Sequence, residues 1–334
     1  MDSTALMKTS KSITRAFCVE LQAELSIVAA RREYFSMEPP RTRFNFLCST
    51  EACREHGVKI TGVRYDVKPQ EHPTFVAAHF RANPNYAHDA QCEWVDEDAA
   101  GNDQTIAGET DAESALRKAK HKLDDYIDVF DPSIKERPKS DTSPVATADM
   151  PDPKPSAPAP QPRSVDPTKP RETRTNNFER LVDSFRQAQA QLTKDEFNLL
   201  TLRVPGQGET TLRAYFRHIK FAQVGEERRV LYGGGLVERY GAGFKFKFFD
   251  RLQGKPATLY VSPAQMQAYR SSRYISELLS HAQDIRFFTM FALGTLAASP
   301  SGKSFSVVIE DLRHLAIVLG PAKDQTPELK DAAQ

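Results

Sequence analysis

Between residues 131 and 177 the chain loses nearly all of its apolar side chains and takes on Pro, Ser, Thr, Asp and Lys, with eleven of its 22 prolines in that stretch. Such a segment cannot bury enough apolar surface to offset the entropy of ordering it, so it is predicted to be disordered and partly extended. It divides the 334 residues into two parts, each long enough for a core of its own. We read 1–130 as one module, 131–177 as a disordered Pro-rich linker, 178–321 as a second domain and 322–334 as a flexible tail. Residues 155–162 also have the composition of a ligand for a proline-recognising partner, but composition alone favours a plain spacer over that reading.

Composition narrows the function classes. Forty per cent apolar and 27% charged residues is the balance of a globular chain in water, and no apolar run reaches the length of a membrane span, so no membrane partner is expected. Residues 1–14 lack the apolar centre of a secretory signal, which points to the cytoplasm, where clustered cysteines favour metal over disulfide. The net charge of +1 conceals an asymmetry: residues 1–130 carry 16 Lys and Arg against 21 Asp and Glu, and residues 178–320 carry 19 against 13. The second part therefore has the sign expected of a domain that meets a polyanion.

Three of the four cysteines fall in one window. Cys48 and Cys53 are separated by four residues, and some 35 positions later His88 and Cys92 are separated by three. Three thiolates and an imidazole form a tetrahedral set that suits a closed, structural Zn2+ ion. Cys18 is an alternative fourth ligand. His79, followed by Phe80 and Arg81, is another, or a group that supports the site from behind.

The stretch from Phe46 to Cys53, the His79-Phe80 step and the closing His88 and Cys92 resemble the N-terminal zinc module of competence-protein CoiA-like sequences. The resemblance covers residues 44–94 and implies a bacterial, mobile-element or phage-defence setting. The first pair is spaced by four residues where two is usual, and the nuclease domain that accompanies that module in the family has no counterpart here. Nuclease activity is therefore not carried over.

Local patterns predict an α+β protein. Strands are expected at 58–65 and 74–80, between the two halves of the metal site, which is the arrangement of a zinc ribbon with an inserted hairpin, and residues 21–35 fit helix and strand equally. Thr110 and Glu113 form a capping box ahead of an apolar stripe from Leu116 to Phe130, which predicts a helix closing the first module. Beyond the linker, helices are expected from Phe178 and from Thr193. Strands follow at 212–222, 229–240, 243–250 and 256–261, then a helix capped by Ser262, then strands at 285–296 and 305–319. Three meandering strands, a helix and two more strands, with the Gly233-Gly234-Gly235 triplet in the first, resemble an OB-like five-stranded β-barrel. That resemblance implies a platform for nucleic acid or protein.

Alternation along 243–250 puts Phe244, Phe246 and Phe248 toward the core and Lys245, Lys247 and Phe249 on the other face. Cations beside an exposed aromatic suit single strands, where phosphates are neutralised and bases stack. Tyr260, Tyr232, Arg228, Arg229 and Arg239 are candidates to extend that face. Catalytic signatures are lacking: Ser301-Gly302-Lys303-Ser304 resembles a phosphate-binding loop, but Ala297 stands where its first glycine belongs and no helix follows. The expectation is a non-catalytic protein that binds single-stranded DNA or RNA, or else an adaptor for a protein partner in a larger assembly.

Overall fold

Among the described residues the first elements are two short strands and a helix: β1 (Arg15–Cys18), β2 (Ala23–Ser26) and α1 (Ile27–Ser36). The segment whose pattern fits both helix and strand thus contains one of each. Ser26 makes the change, since its hydroxyl accepts from the Ala29 N–H at 3.2 Å and caps the helix. Then come β3 (Phe46–Cys48), α2 (Glu51–Glu55), β4 (Lys59–Val63) and β5 (His79–Ala82), completing an antiparallel sheet in the order β2-β1-β3-β4-β5. It is larger than a ribbon with one hairpin because β1 and β2 add two strands upstream. Phe44, Phe46, Tyr65, Phe80 and Trp94 fill its core, and the Tyr65 hydroxyl accepts from the Phe44 N–H at 2.6 Å.

The computed structural model describes residues 13–71, 75–95, 110–123, 126–133, 173–299 and 301–323. Most of the Pro-rich stretch and nearly all of the tail, with the disorder, proline-ligand and flexible-tail expectations placed on them, lie outside these residues.

The capping box at Thr110 forms and starts α3 (Asp111–His121). Its apolar face, however, does not close the N-terminal sheet. Ala119, Leu123, Tyr126, Ile127 and Phe130 instead share a core with Phe178, Leu181, Phe185, Leu200 and Leu202. Those residues belong to or adjoin α4 (Phe178–Gln191), α5 (Lys194–Leu199) and β8 (Thr201–Val204). The expected helix also stops earlier, because 129–130 become a strand. This β6 (Val129–Phe130) pairs in parallel with β7 (Arg174–Thr175) and with β8, and β9 (Gly208–Thr211) completes the small sheet. Val129 lies opposite Arg174 and Phe130 opposite Thr175, so the two ends of the Pro-rich stretch are neighbours.

Residues 212–222, expected as one strand, divide into α6 (Leu212–Tyr215), β10 (Phe216–His218) and a 3-10 turn, because the Thr211 hydroxyl caps the Ala214 N–H at 3.1 Å. The barrel follows: β11 (Arg229–Tyr240), β12 (Gly243–Leu252), β13 (Lys255–Val261), helices α7 (Pro263–Ala268) and α8 (Ser272–Leu279), β14 (Phe288–Ala298) and β15 (Phe305–Val308). It closes in the order β11-β12-β13-β15-β14 and back to β11, with β13 and β15 parallel, an arrangement consistent with an OB-like barrel. Gly235 is the corner of β11, opposite both Phe248 of β12 and Phe288 of β14. A Cβ there would lie 2.2 Å from the Lys247 carbonyl oxygen, so only glycine fits. The expected last strand breaks at a 3-10 turn, residues 312–314, capped by Asp311, and β16 (Leu315–Leu319) leaves the barrel to pair with β14. Phe244, Phe246 and Phe248 point inward as the alternation predicts.

The N-terminal sheet rests against this assembly. Arg31 and Arg32 of α1 reach Asp183 (3.1 Å) and Glu179 (2.9 Å) of α4, with all four side chains buried. Phe35 joins the barrel cluster beside Tyr274, and Leu319 of β16 exchanges backbone hydrogen bonds with Pro69 and Glu71, both 2.8 Å. No helix among the described residues is long and apolar enough to cross a membrane.

Candidate metal centre and barrel face

The four expected ligands converge. Cys48 ends β3, where its N–H donates to Val58 O at 2.9 Å, and Cys53 sits in α2 one turn past the Thr50 cap. His88 and Cys92 arrive from the loop after β5, which turns on a Cys92 N–H to Asp89 O bond of 3.0 Å. Their donor atoms all lie within 4.8 Å of one another. Cys48 Sγ is 3.6 Å from Cys92 Sγ, and His88 Nδ1 is 3.3 Å from Cys92 Sγ and 3.8 Å from Cys53 Sγ.

A tetrahedral ion with zinc-like bond lengths would hold sulfurs about 3.8 Å apart and sulfur and nitrogen about 3.5 Å apart. Those three separations are close to that spacing, and the cluster could hold such an ion. The Asp89 N–H points at Cys53 Sγ (3.2 Å), and Thr50 Oγ1 lies 3.4 Å from Cys92 Sγ, contacts that favour thiolate. Burial pushes the Cys48 thiol up to about 12, with Cys92 and Cys53 adding to the effect, and raises Cys53 as well. Burial also lowers His88. A cation would reverse the cost of charging these thiols and thereby tie its own binding to the folding of the loop.

Behind the ligands, Trp94 Nε1 donates to Ser49 Oγ (2.9 Å), Ser49 Oγ donates to Glu93 (2.7 Å), and Arg15 pairs with Glu93 (2.8 Å). The two alternative ligands lie apart from the cluster. Cys18 is buried on β1 with its thiol 3.5 Å from Glu20, and His79 Nδ1 faces Ala77 O at 3.0 Å.

On the barrel, the residues expected to bind together are divided. Lys245, Lys247, Phe249 and Tyr260 share the outer wall of β12 and β13, with Lys245 directly opposite Tyr260. Phe249 is 55% exposed and Tyr260 49%. Tyr232 belongs to a different surround: it stacks on Phe291 (5.3 Å, 12°) and meets the edge of Phe185 from α4. Arg228 and Arg229 are engaged at the start of β11, with His314 (2.8 Å) and Glu310 (3.2 Å) and with Ala214 O (2.9 Å) respectively. Arg239 reaches Ser276 O at 3.1 Å.

The reason is coverage. The helical layer buries the outer wall over β10, β14, β16 and the first half of β11, where Val230, Phe216, Phe291 and Val318 enter the α4 core. It leaves the wall over β12 and β13 open. Alternation past the glycine corner brings Leu236, Glu238 and Tyr240 of β11 onto the open half, residues that the sequence reading did not include. Glu238 pairs with Lys247 and with the Tyr240 hydroxyl. Phe287 also joins, meeting Phe249 edge-on at 6.0 Å.

Comparison with family models, with curated proteins and with solved structures finds no match to this chain.

Proposed function

We propose that this chain is a non-catalytic binding protein that holds single-stranded nucleic acid on the open wall of its barrel, with zinc in the Cys48, Cys53, His88, Cys92 centre as a structural ion. The observation that carries the reading is the division of the barrel's outer surface. One half is buried under helices, and the bare half bears two lysines and three exposed aromatic rings, Phe249, Tyr260 and Tyr240. Phosphates would be neutralised by Lys245 and Lys247, and bases would stack on Phe249 and Tyr260, with little sequence preference. The reducing cytoplasm suits the centre, since its thiols must stay reduced to bind metal.

Titration of a fluorescent oligonucleotide with the full chain at two salt concentrations tests it. Affinity should fall as salt rises, and Phe249→Ala should weaken binding about tenfold, within the usual 1–3 kcal/mol of one stacked base. Salt-independent or absent binding would sink the proposal.

A second reading draws on Glu238, which engages Lys247, and on the exposed Leu236 and Tyr240 beside it. These give the same wall an amphipathic stretch suited to a protein partner. Co-purification of a stoichiometric protein without nucleic acid favours that adaptor role.

A further inference from the structure

The open wall of the barrel does not end at an edge; it runs into a cleft. Along β11, Tyr232, Gly234 and Leu236 face outward in turn, spanning about 13 Å. Gly234 lies opposite Thr289, and the rings of Phe249 and Phe287 crowd the space where its Cβ would be, at 3.4 and 3.6 Å. Beyond Thr289 the surface drops into a cleft of 340 Å³ walled by α4 on one side and by residues 71 and 75 of the N-terminal part on the other. That volume lies at the small end of the range for ligand pockets.

The cleft offers a flat surface and polar groups of mixed kind. Tyr232 stacks on Phe291 to form its floor, and Phe75 lies 3.9 Å beneath the Arg186 guanidinium. Arg186, its side chain 9% exposed, donates to Gln70 O, while its Nη1 lies 3.6 Å from Asp183 and makes no hydrogen bond among the described residues. Gln189 stands at the exposed rim, and the Glu71 carboxylate accepts from the Thr289 hydroxyl.

We propose that this cleft receives the terminal nucleoside of a bound strand, so that the barrel recognises a hydroxyl-bearing strand end. The inference rests on the single-strand reading of the barrel wall. A strand lying over Tyr260 and Phe249 leads past Gly234 and Thr289 into the cleft, whose 340 Å³ suits one nucleoside and whose Glu71 and Asp183 carboxylates disfavour the further phosphate that an unbroken chain would bring into it. Gln189 at the exposed rim donates to a base edge, Tyr232 offers a stacking surface, and Glu71 accepts from a sugar hydroxyl. A terminal phosphate fits poorly, because Asp183 lies beside Arg186 and Glu71 repels an anion.

The test compares, on the full chain, one oligonucleotide sequence in four forms: linear with hydroxyls at both ends, linear with a 5′-phosphate, linear with a 3′-phosphate, and covalently circular. The hydroxyl-ended form should bind about tenfold tighter than the circle, and one of the two phosphates should remove that advantage. Gln189→Ala, at an exposed position, and Thr289→Val should bring linear and circular forms together while leaving circle affinity unchanged. Equal binding of linear and circular forms by the parent protein overturns the end-recognition proposal and leaves the barrel-wall reading intact. Tightest binding of a phosphorylated end overturns the hydroxyl preference. Absence of salt-dependent binding in all four forms overturns the barrel-wall reading itself.

Discussion

The metal centre and the barrel reach order by opposite routes. The candidate centre gathers four donor side chains from two short stretches, and burial makes the Cys48 and Cys53 thiols resist ionisation. The barrel closes five strands around a continuous apolar cluster that includes Phe244, Phe246, Leu259, Met290 and Val307. In the first region four side chains tie a loop to a sheet that has an apolar core of its own, whereas the barrel relies on its apolar cluster throughout and admits no side chain at its corner glycine, Gly235.

Removing the metal should separate the two most sharply. Elemental analysis should find one zinc per chain, and chelation or Cys92→Ser should unfold the loop and neighbouring strands, with an effect on the order of 10 kcal/mol on that region. Hydrogen exchange should report lost protection near β3 to β5 and retained protection in β11 to β14. Uniform loss would mean that the regions fold as one; a folded, metal-free parent would refute the site.

The seam between them comes next. Asp183→Ala leaves Arg31 and Arg186 buried without their carboxylate, which should cost about 3–5 kcal/mol, visible as a large fall in Tm with zinc still bound. A shift below 1 kcal/mol would show that the seam contributes little in solution. Gly235→Ala acts on the barrel alone, forcing a Cβ against the Lys247 carbonyl, and about 1–3 kcal/mol of destabilisation is expected in denaturant unfolding, again with zinc retained.

The smallest effect is set by pH. Burial and then the Arg228 guanidinium hold His314 below its ordinary range, with Arg313 adding to this and Asp311 opposing it. The unfolded chain thus binds this proton more readily, and the stability His314 contributes is present above about pH 6.5 and declines as pH falls toward its folded value. His314→Gln should flatten the dependence of Tm on pH between 7 and 5; an unchanged slope would assign it to other groups.

Much of the candidate centre was legible because its information is chemical and close in sequence: Cys48, Cys53, His88 and Cys92 carry the donor types and spacings of a tetrahedral site. The inward phenylalanines of β12 were legible for a similar reason, since a strand's alternation is a property of the backbone. The wall of the barrel was only half legible. Lys245, Lys247, Phe249 and Tyr260 alternate onto the open face, but Tyr232 alternates just as well onto the covered one. Nothing local distinguishes an outward tyrosine on the open wall from one that packs on Phe291 and Phe185 and lines the cleft beside α4.

The sequence by itself determined which four side chains converge on the candidate metal centre, the caps of α3, α5 and α7, and the inward and outward faces of the barrel strands. Tertiary structure alone decided that the α3 stripe packs with α4 and β8, that the ends of the Pro-rich stretch lie side by side, and that Arg228 and Arg229 have partners far from the open wall. Periodicity and residue chemistry state which side of an element must be covered. What covers it depends on contacts between residues distant along the chain, which only the folded arrangement supplies.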